Sequence, residues 1–187
     1  MRFFETKLEG AYIIEREPFT DSRGSFSRTF CAKEFKQYNL AANMVQTNFS
    51  LSNRKHILRG MHYQVEGAEE DKLVQCLRGT IWDVIIDLRE SSKSFGQHLG
   101  VELSEANKKM LYVPRGFAHG FLSLEDFCYV LYQVSNFYAP DKERGIRWND
   151  SFFGIDWPTK SPLLSAKDAF YPDFCEQTIT KSKSGIL

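Results

Sequence analysis

The sequence predicts an all-β fold, a sandwich or barrel of short strands with few helices. Runs rich in β-branched and aromatic residues recur along the chain, and turn-forming residues separate them at intervals of about 8 to 12. The chain has 187 residues, which is enough to bury one full core and is the usual size of one domain.

Ten segments carry the strand signal: Tyr12 to Glu15, Ser25 to Phe30, Met44 to Leu51, Ile57 to Tyr63, Lys72 to Leu77, Thr80 to Leu88, Leu99 to Leu103, Lys109 to Val113, Gly120 to Leu124 and Phe127 to Val134. Between them lie DSRG at 21 to 24, RG at 78 to 79, SKSFG at 92 to 96 and PRG at 114 to 116, all with turn chemistry. One short helix is expected over Ala32 to Tyr38, and another after Ser165, which is placed to cap the AKDAF segment. No internal repeat or linker interrupts the chain. A single domain spanning 1–187 follows, with 158–187 as a C-terminal tail packed on the barrel and the final KSKSGIL mobile.

Composition narrows the function. Lys plus Arg and Asp plus Glu both number 24, so the formal net charge is zero and no global field draws the molecule to nucleic acid. Any anionic ligand has to be met locally. Aromatic residues make up 14% of the chain, which suits a packed core and argues against disorder. The N-terminus MRFFETKLEG carries charge and has no apolar run, and no stretch reaches the roughly 20 apolar residues of a membrane helix. A cytoplasmic protein without a membrane partner is expected. Cys31, Cys76, Cys128 and Cys175 lie far apart with no CxxC pair, so they read as reduced thiols, with neither a zinc site nor a disulfide framework signalled.

Two of the four histidines stand in unusual contexts, His62 in LRGMHYQ and His119 in PRGFAHGF. A histidine at a strand end beside Arg and Gly can act as an acid or base near neutral pH, or it can be a hydrogen-bonded histidine inside the barrel. His56 and His98 fall in polar segments and read as solvated turn residues. The PxG and HG pairs around His119 resemble the second motif of cupin barrels, in which histidines often hold a metal. Metal-binding cupins place a second His two residues after the first, where this chain has Gln64, and two imidazoles alone make a poor closed site. No metal is therefore assigned.

Five blocks taken in order sharpen the reading: QTNFSLS at 46 to 52, LRGMHYQ at 58 to 64, DKLVQCLRGTIWDVIIDLR at 71 to 89, VPRGFAHGF at 113 to 121, and the WP and SAKD elements near the end. From about Gly10 to Phe170 the chain resembles the dTDP-4-dehydrorhamnose 3,5-epimerases. The resemblance implies a cupin-type jelly-roll barrel that works as a homodimer without metal or other cofactor. It also implies a nucleotide-sugar substrate, a 4-keto-6-deoxyhexose inverted at C3, C5 or both, in deoxysugar biosynthesis that in bacteria usually ends in surface polysaccharide.

Carried over by motif, the resemblance makes His62 the general base, Asp168 the carboxylate that orients it and Tyr132 the acid on the other face of the sugar. Lys72 and His119 become candidates to meet the enolate charge. The hydrogens on C3 and C5 are both α to the ketone, so removing either leaves a charge that fixed donors must hold. Arg23 and Arg59 match diphosphate contacts, for which the guanidinium fork is suited. Tyr138 matches an aromatic that stacks on the base, with Glu143 near the sugar hydroxyls and Gln46 and Asn48 lining the pocket. Two positions depart from the pattern. Arg28 stands where the family often has a Glu that can accept the N3 hydrogen of thymine, and Gln133 stands where a Lys commonly follows the Tyr. A donor at 28 fits the acceptors of cytosine, so a CDP-linked sugar inverted at C5 or C3 alone is the nearest alternative. A metal-dependent cupin or a non-catalytic sugar-binding cupin is the alternative of another class. The early strands, roughly residues 20 to 50, are expected to cross to the partner subunit, with Arg28 and Gln46 helping to build the neighbour's pocket.

Overall fold

The computed structural model describes residues 1–174. Thirteen strands form among them: β1 (Arg2–Glu5), β2 (Tyr12–Glu15), β3 (Phe19–Asp21), β4 (Gly24–Phe26), β5 (Gln46–Ser52), β6 (Leu58–Gln64), β7 (Lys72–Arg78), β8 (Thr80–Asp87), β9 (His98–Ser104), β10 (Lys109–Val113), β11 (Phe117–Ser123), β12 (Cys128–Val134) and β13 (Glu143–Gly145). Helices are confined to α1 (Ala32–Gln37), α2 (Ala166–Ala169) and one 3-10 turn at Pro140–Lys142. The strands make a six-stranded sheet in the order β1-β2-β10-β7-β12-β5, a five-stranded sheet in the order β13-β6-β11-β8-β9, and the separate hairpin β3-β4. Two antiparallel sheets face to face give the jelly-roll barrel that the sequence leads one to expect.

The central strands of each sheet are buried on both faces, which explains why β7, β8 and β11 read as nearly continuous apolar runs rather than alternating ones. Inward residues such as Val74, Cys76, Ile81, Ile85, Val130 and Cys128 join between the sheets in one cluster. The outer face of the five-stranded sheet places Leu58, Met61, Val84 and Ile86 under Ile146, Phe153 and Trp157 from the C-terminal segment. On the other side Ile14, Leu73, Met110 and Tyr112 pack against Phe35 of α1. Inward Cys76 is sealed enough that burial pushes its thiol up to about 12, and Cys31, Cys76 and Cys128 are all free thiols. Cys175 and the KSKSGIL segment lie outside the described residues.

Several elements differ from the sequence reading. β1 and β13 carry no strong strand signal of their own; β1 forms by pairing with β2 and β13 by pairing with β6. The strand expected at Ser25 to Phe30 ends at Phe26, because Phe30 packs on Phe35 and Arg28 bonds Glu34, both on α1. His98 is not a solvated turn residue: it begins β9, half-buried, and burial lowers its pKa, with the Lys7 charge adding to the effect. β11 starts three residues earlier than expected, at Phe117. No helix of the described residues is long and apolar enough to cross a membrane.

One close approach sets the geometry of the site. At Gly60, whose φ is +133°, an added Cβ would lie 2.6 Å from Gly120 Cα, and one at Gly120 would lie 2.8 Å from the Arg59 carbonyl oxygen. Only residues without side chains let β6 and β11 come together there. The strand pairing shifts between His119 and Phe121, and the shift leaves His119 directly opposite His62.

The mouth of the barrel is braced by Asp71, which accepts from Tyr112 Oη at 2.9 Å, Ser135 Oγ at 2.9 Å and Arg115 Nη2 at 2.8 Å. Burial by itself raises the Asp71 pKa, but the Arg115, Tyr112 and Ser135 bonds outweigh it and hold the carboxyl below its ordinary value. A depressed carboxyl stabilises the fold above its unfolded pKa of about 3.9 and loses that contribution as pH falls through the folded value. Asp71→Asn is expected to lower stability at pH 7 by on the order of 1–3 kcal/mol, with the gap to wild type narrowing below about pH 4. Urea denaturation at pH 7 and pH 3 checks this; a gap that stays constant rules out the assigned role.

Candidate active site

Between the sheets, the apolar cluster fills one end of the barrel and a cavity of about 500 Å³ opens at the other. The period of two explains the change along single strands. In β7, Cys76 and Val74 belong to the core and Lys72 reaches the cavity; in β12, Cys128 and Val130 belong to the core and Tyr132 reaches it. In the opposite sheet β6 supplies His62 and Gln64, β11 supplies His119 and Phe121, and β13 supplies Glu143.

His62 is set from two directions. Its strand position comes from β6, between β11 and β13. Its partner comes from α2, where Ser165 is the N-cap and its Oγ accepts from the Asp168 backbone N at 3.0 Å. The SAKD run therefore fixes Asp168 at the third helical position, where it is 4% exposed and lies 2.7 Å from His62 Nε2. Burial raises the Asp168 pKa, yet the His62 bond, the Ser165 hydroxyl and the Gly60 N–H more than offset it, and the net shift is downward. The ionised carboxylate can only accept, so Nε2–H donates to Asp168, and in the neutral imidazole this leaves the lone pair on Nδ1.

A second histidine–carboxylate pair stands beside the first. His119 Nε2 lies 3.0 and 3.1 Å from the two oxygens of Asp83, and Asp83 is fully buried on the inward face of β8. Sequence reasoning missed Asp83. The signal was an acidic residue inside the apolar run IWDVIID, which a buried strand tolerates only with a partner.

The facing sheet presents Tyr132 and Lys72. The Tyr132 hydroxyl makes no hydrogen bond among the described residues. Burial raises its pKa, the Glu70 carboxylate adds to this, Arg59 opposes it and Glu143 adds again, so it is a protonated phenol at neutral pH. Lys72 is 3.1 Å from Glu70. Around the rim, Gln46 Nε2 donates to Asn48 Oδ1 at 2.9 Å, and Arg59 Nη2 donates to the Leu51 carbonyl at 2.9 Å. Glu143 accepts from Tyr138 Oη at 2.6 Å and from Lys167 Nζ at 2.5 Å.

Ten of the twelve residues singled out in the sequence line this one cavity: Gln46, Asn48, Arg59, His62, Lys72, His119, Tyr132, Tyr138, Glu143 and Asp168. Gln46 thus faces its own chain's cavity, a correction to its expected place in a neighbour's pocket. Arg23 and Arg28 do not join them. Arg23 sits at the turn of the β3-β4 hairpin, bound to Asp21 at 2.6 Å with its side chain 88% exposed. Arg28 follows the hairpin and pairs with Glu34 at 2.7 Å. Glu70, Gln64, Ser165 and Lys167 line the cavity without having been singled out. Among the described residues no three His, Cys, Asp or Glu side chains are grouped to hold a metal.

An imidazole with a free nitrogen lone pair, backed by a buried carboxylate and faced by a protonated phenol on the opposite sheet, defines a proton-transfer isomerase on a cupin-type jelly roll. The sequence model for dTDP-4-dehydrorhamnose 3,5-epimerase matches residues 5–176. The epimerase of Methanothermobacter thermautotrophicus is 45% identical over 170 residues, covering 89% of this chain and 91% of that protein. The crystal structure of the epimerase from Elizabethkingia anophelis superposes with a TM-score of 0.89 at 42% identity, covering 93% and 96% of the two chains. The Legionella pneumophila enzyme, solved in complex with dTDP-4-keto-L-rhamnose, gives 0.87 at 38% identity and covers 92% of each chain. The chain belongs to the dTDP-4-dehydrorhamnose 3,5-epimerase family. It is a sugar-nucleotide epimerase of deoxysugar biosynthesis, inverting C3, C5 or both in a nucleotide-linked 4-keto-6-deoxyhexose.

Proposed function

We propose that the substrate is dTDP-4-dehydro-6-deoxyglucose and that inversion proceeds by proton removal at His62 and proton return from Tyr132. The observation that carries this reading is the placement of the two groups on opposite sheets with the cavity between them. Inversion needs a base on one face of the ring and an acid on the other. His62 Nδ1 takes the hydrogen α to the C4 ketone, and the imidazolium that forms is neutralised by Asp168, already bonded to Nε2. The electron pair moves into the carbonyl, and Lys72 supplies a cation to the resulting enolate oxygen. His119, held through Nε2 by Asp83, lines the same cavity as the second candidate to meet that charge. Tyr132 then delivers its hydroxyl proton to the opposite face of the same carbon. Solvent then returns a proton to Tyr132 and accepts the one left on His62.

Arg59 at the rim is placed for the diphosphate, Tyr138 for the base and Glu143 for the sugar hydroxyls. The similar proteins are named for dTDP-linked sugars, and the Legionella enzyme was solved with one, which supports thymine over the CDP alternative raised by Arg28. The thymine reading is therefore kept.

The same reading includes a homodimer in the cytoplasm. The β3-β4 hairpin belongs to neither large sheet and exposes Phe19 at 80% and Phe26 at 75%. An isolated two-stranded hairpin is marginal in water, and a second copy of this chain, which exposes Phe49 and Leu51 on edge strand β5, offers apolar surface to cover it. That docking would carry Arg23 and Arg28 toward the partner's rim, where Arg59 is the one arginine lining the cavity among the described residues. Free buried thiols at Cys76 and Cys128 suit a reducing compartment.

Two measurements test the reading. In deuterated water, His62→Ala is expected to incorporate no deuterium at C3 or C5 of the dTDP-sugar by NMR, whereas Asp168→Asn stays folded and slows by roughly 10² or more. Wild-type incorporation in His62→Ala would remove the base. Light scattering at micromolar concentration is expected to give twice the 21.7 kDa of the chain; a monomer rules out the docked hairpin.

A further inference from the structure

Past Asp168 the chain does not leave the site. It runs back over β13 as a strap, and the strap is fastened at several points: the Arg147 N–H donates to the Pro172 carbonyl at 2.9 Å, Arg147 Nε meets Asp173 at 3.0 Å, and the Phe174 N–H donates to Asp150 Oδ2 at 2.5 Å. The Phe174 ring packs 5.1 Å from Phe153. Between these anchors and α2 lies Tyr171.

The ring of Tyr171 meets His62 edge-on, with centroids 5.7 Å apart and planes at 70°. It also lies flat across Gly145, so closely that a Cβ there would come within 2.3 Å of its Cε2 and Cζ. Gly145 is the strand partner of His62 in the β13-β6 ladder. The hydroxyl is buried without a well-formed hydrogen bond, although the Lys167 ammonium and the Glu143 carboxylate both act on it. A buried hydroxyl without a well-formed hydrogen bond adds little to stability, so it is the ring, packed against His62 and Gly145, that gives Tyr171 its place.

We infer that Tyr171 is a positioning residue for His62. Asp168 fixes the imidazole through Nε2, and the Tyr171 ring blocks the remaining freedom of the imidazole to swing toward β13, keeping Nδ1 aimed into the cavity. The edge-to-face contact is the stabilised arrangement for two such rings. Gly145 is required because any side chain there would displace the ring. Rate depends steeply on the placement of a reacting group, with about 1 Å of misplacement costing up to two orders of magnitude.

The inference rests on His62 as the base, so activity and the state of the imidazole are read separately. Tyr171→Phe is expected to keep kcat and KM within about twofold of wild type and to be about as stable, since no well-formed hydrogen bond is lost. Tyr171→Leu and Gly145→Ala are expected to lower kcat by roughly tenfold or more with KM changed less than about threefold. In the NMR spectrum of the ring-labelled protein, the His62 carbon-bound protons are expected to lose the ring-current shift of Tyr171 in Tyr171→Leu and keep it in Tyr171→Phe. Wild-type kcat in both Tyr171→Leu and Gly145→Ala, while His62→Ala is inactive, overturns the positioning role and leaves the base intact. A raised KM at unchanged kcat also overturns it, because Tyr171 would then be a wall of the binding site. Should Gly145→Ala fail to fold, Tyr171→Leu and the His62 spectrum decide alone.

Discussion

The site depends on one steric constraint, the contact of β6 with β11 at Gly60 and Gly120. Because neither residue has a side chain, the two backbones can approach until a single Cβ would no longer fit, and the pairing shifts so that His62 and His119 stand opposite each other. Each imidazole then finds its own buried carboxylate, Asp168 from α2 and Asp83 from β8. The glycines beside both histidines, in LRGMH and AHGF, are thus part of the chemistry although they touch no substrate.

The chemical asymmetry of the cavity follows from the fold class. A barrel made of two sheets has two inner walls, and alternation along each strand lets one wall end in an imidazole while the other ends in a phenol. In the proposed mechanism, base and acid then reach opposite faces of one sugar without either needing to move. Burial keeps the phenol protonated, and the ionised Asp168 keeps the imidazole lone pair on the nitrogen away from it. The same environment that disfavours a charged tyrosine favours a base backed by a carboxylate, and the difference gives the two groups different roles.

Most strands were legible because β-branched and aromatic runs alternate with turn residues, and β2, β10 and the α2 cap stand where the sequence puts them. β13 was not legible, since its three residues become a strand only through pairing with β6. His98 looked like a polar turn because its flanking Gln97 and Gly96 are turn-like, while the burial that defines it comes from the distant fold. The catalytic candidates were found through ordered motifs; Asp83 and Tyr171 were not, because their importance lies in which ring they touch. Arg23 on the exposed hairpin and Arg28 just after it lie away from the cavity, a further limit: a motif suggests a role, and a single chain does not state whose pocket it serves.

The central claim is that His62 and Tyr132 act on opposite faces of the same carbon, and the Tyr132→Phe variant in deuterated water tests it most directly. Ring and packing are kept and only the acidic hydroxyl is lost. NMR of the dTDP-sugar is expected to show deuterium still entering through His62 with the original configuration retained, and net inversion falling much further than exchange. Inversion at C5 at the wild-type rate in that variant would contradict the account, leaving Tyr132 a packing residue and the two-sheet arrangement without its acid.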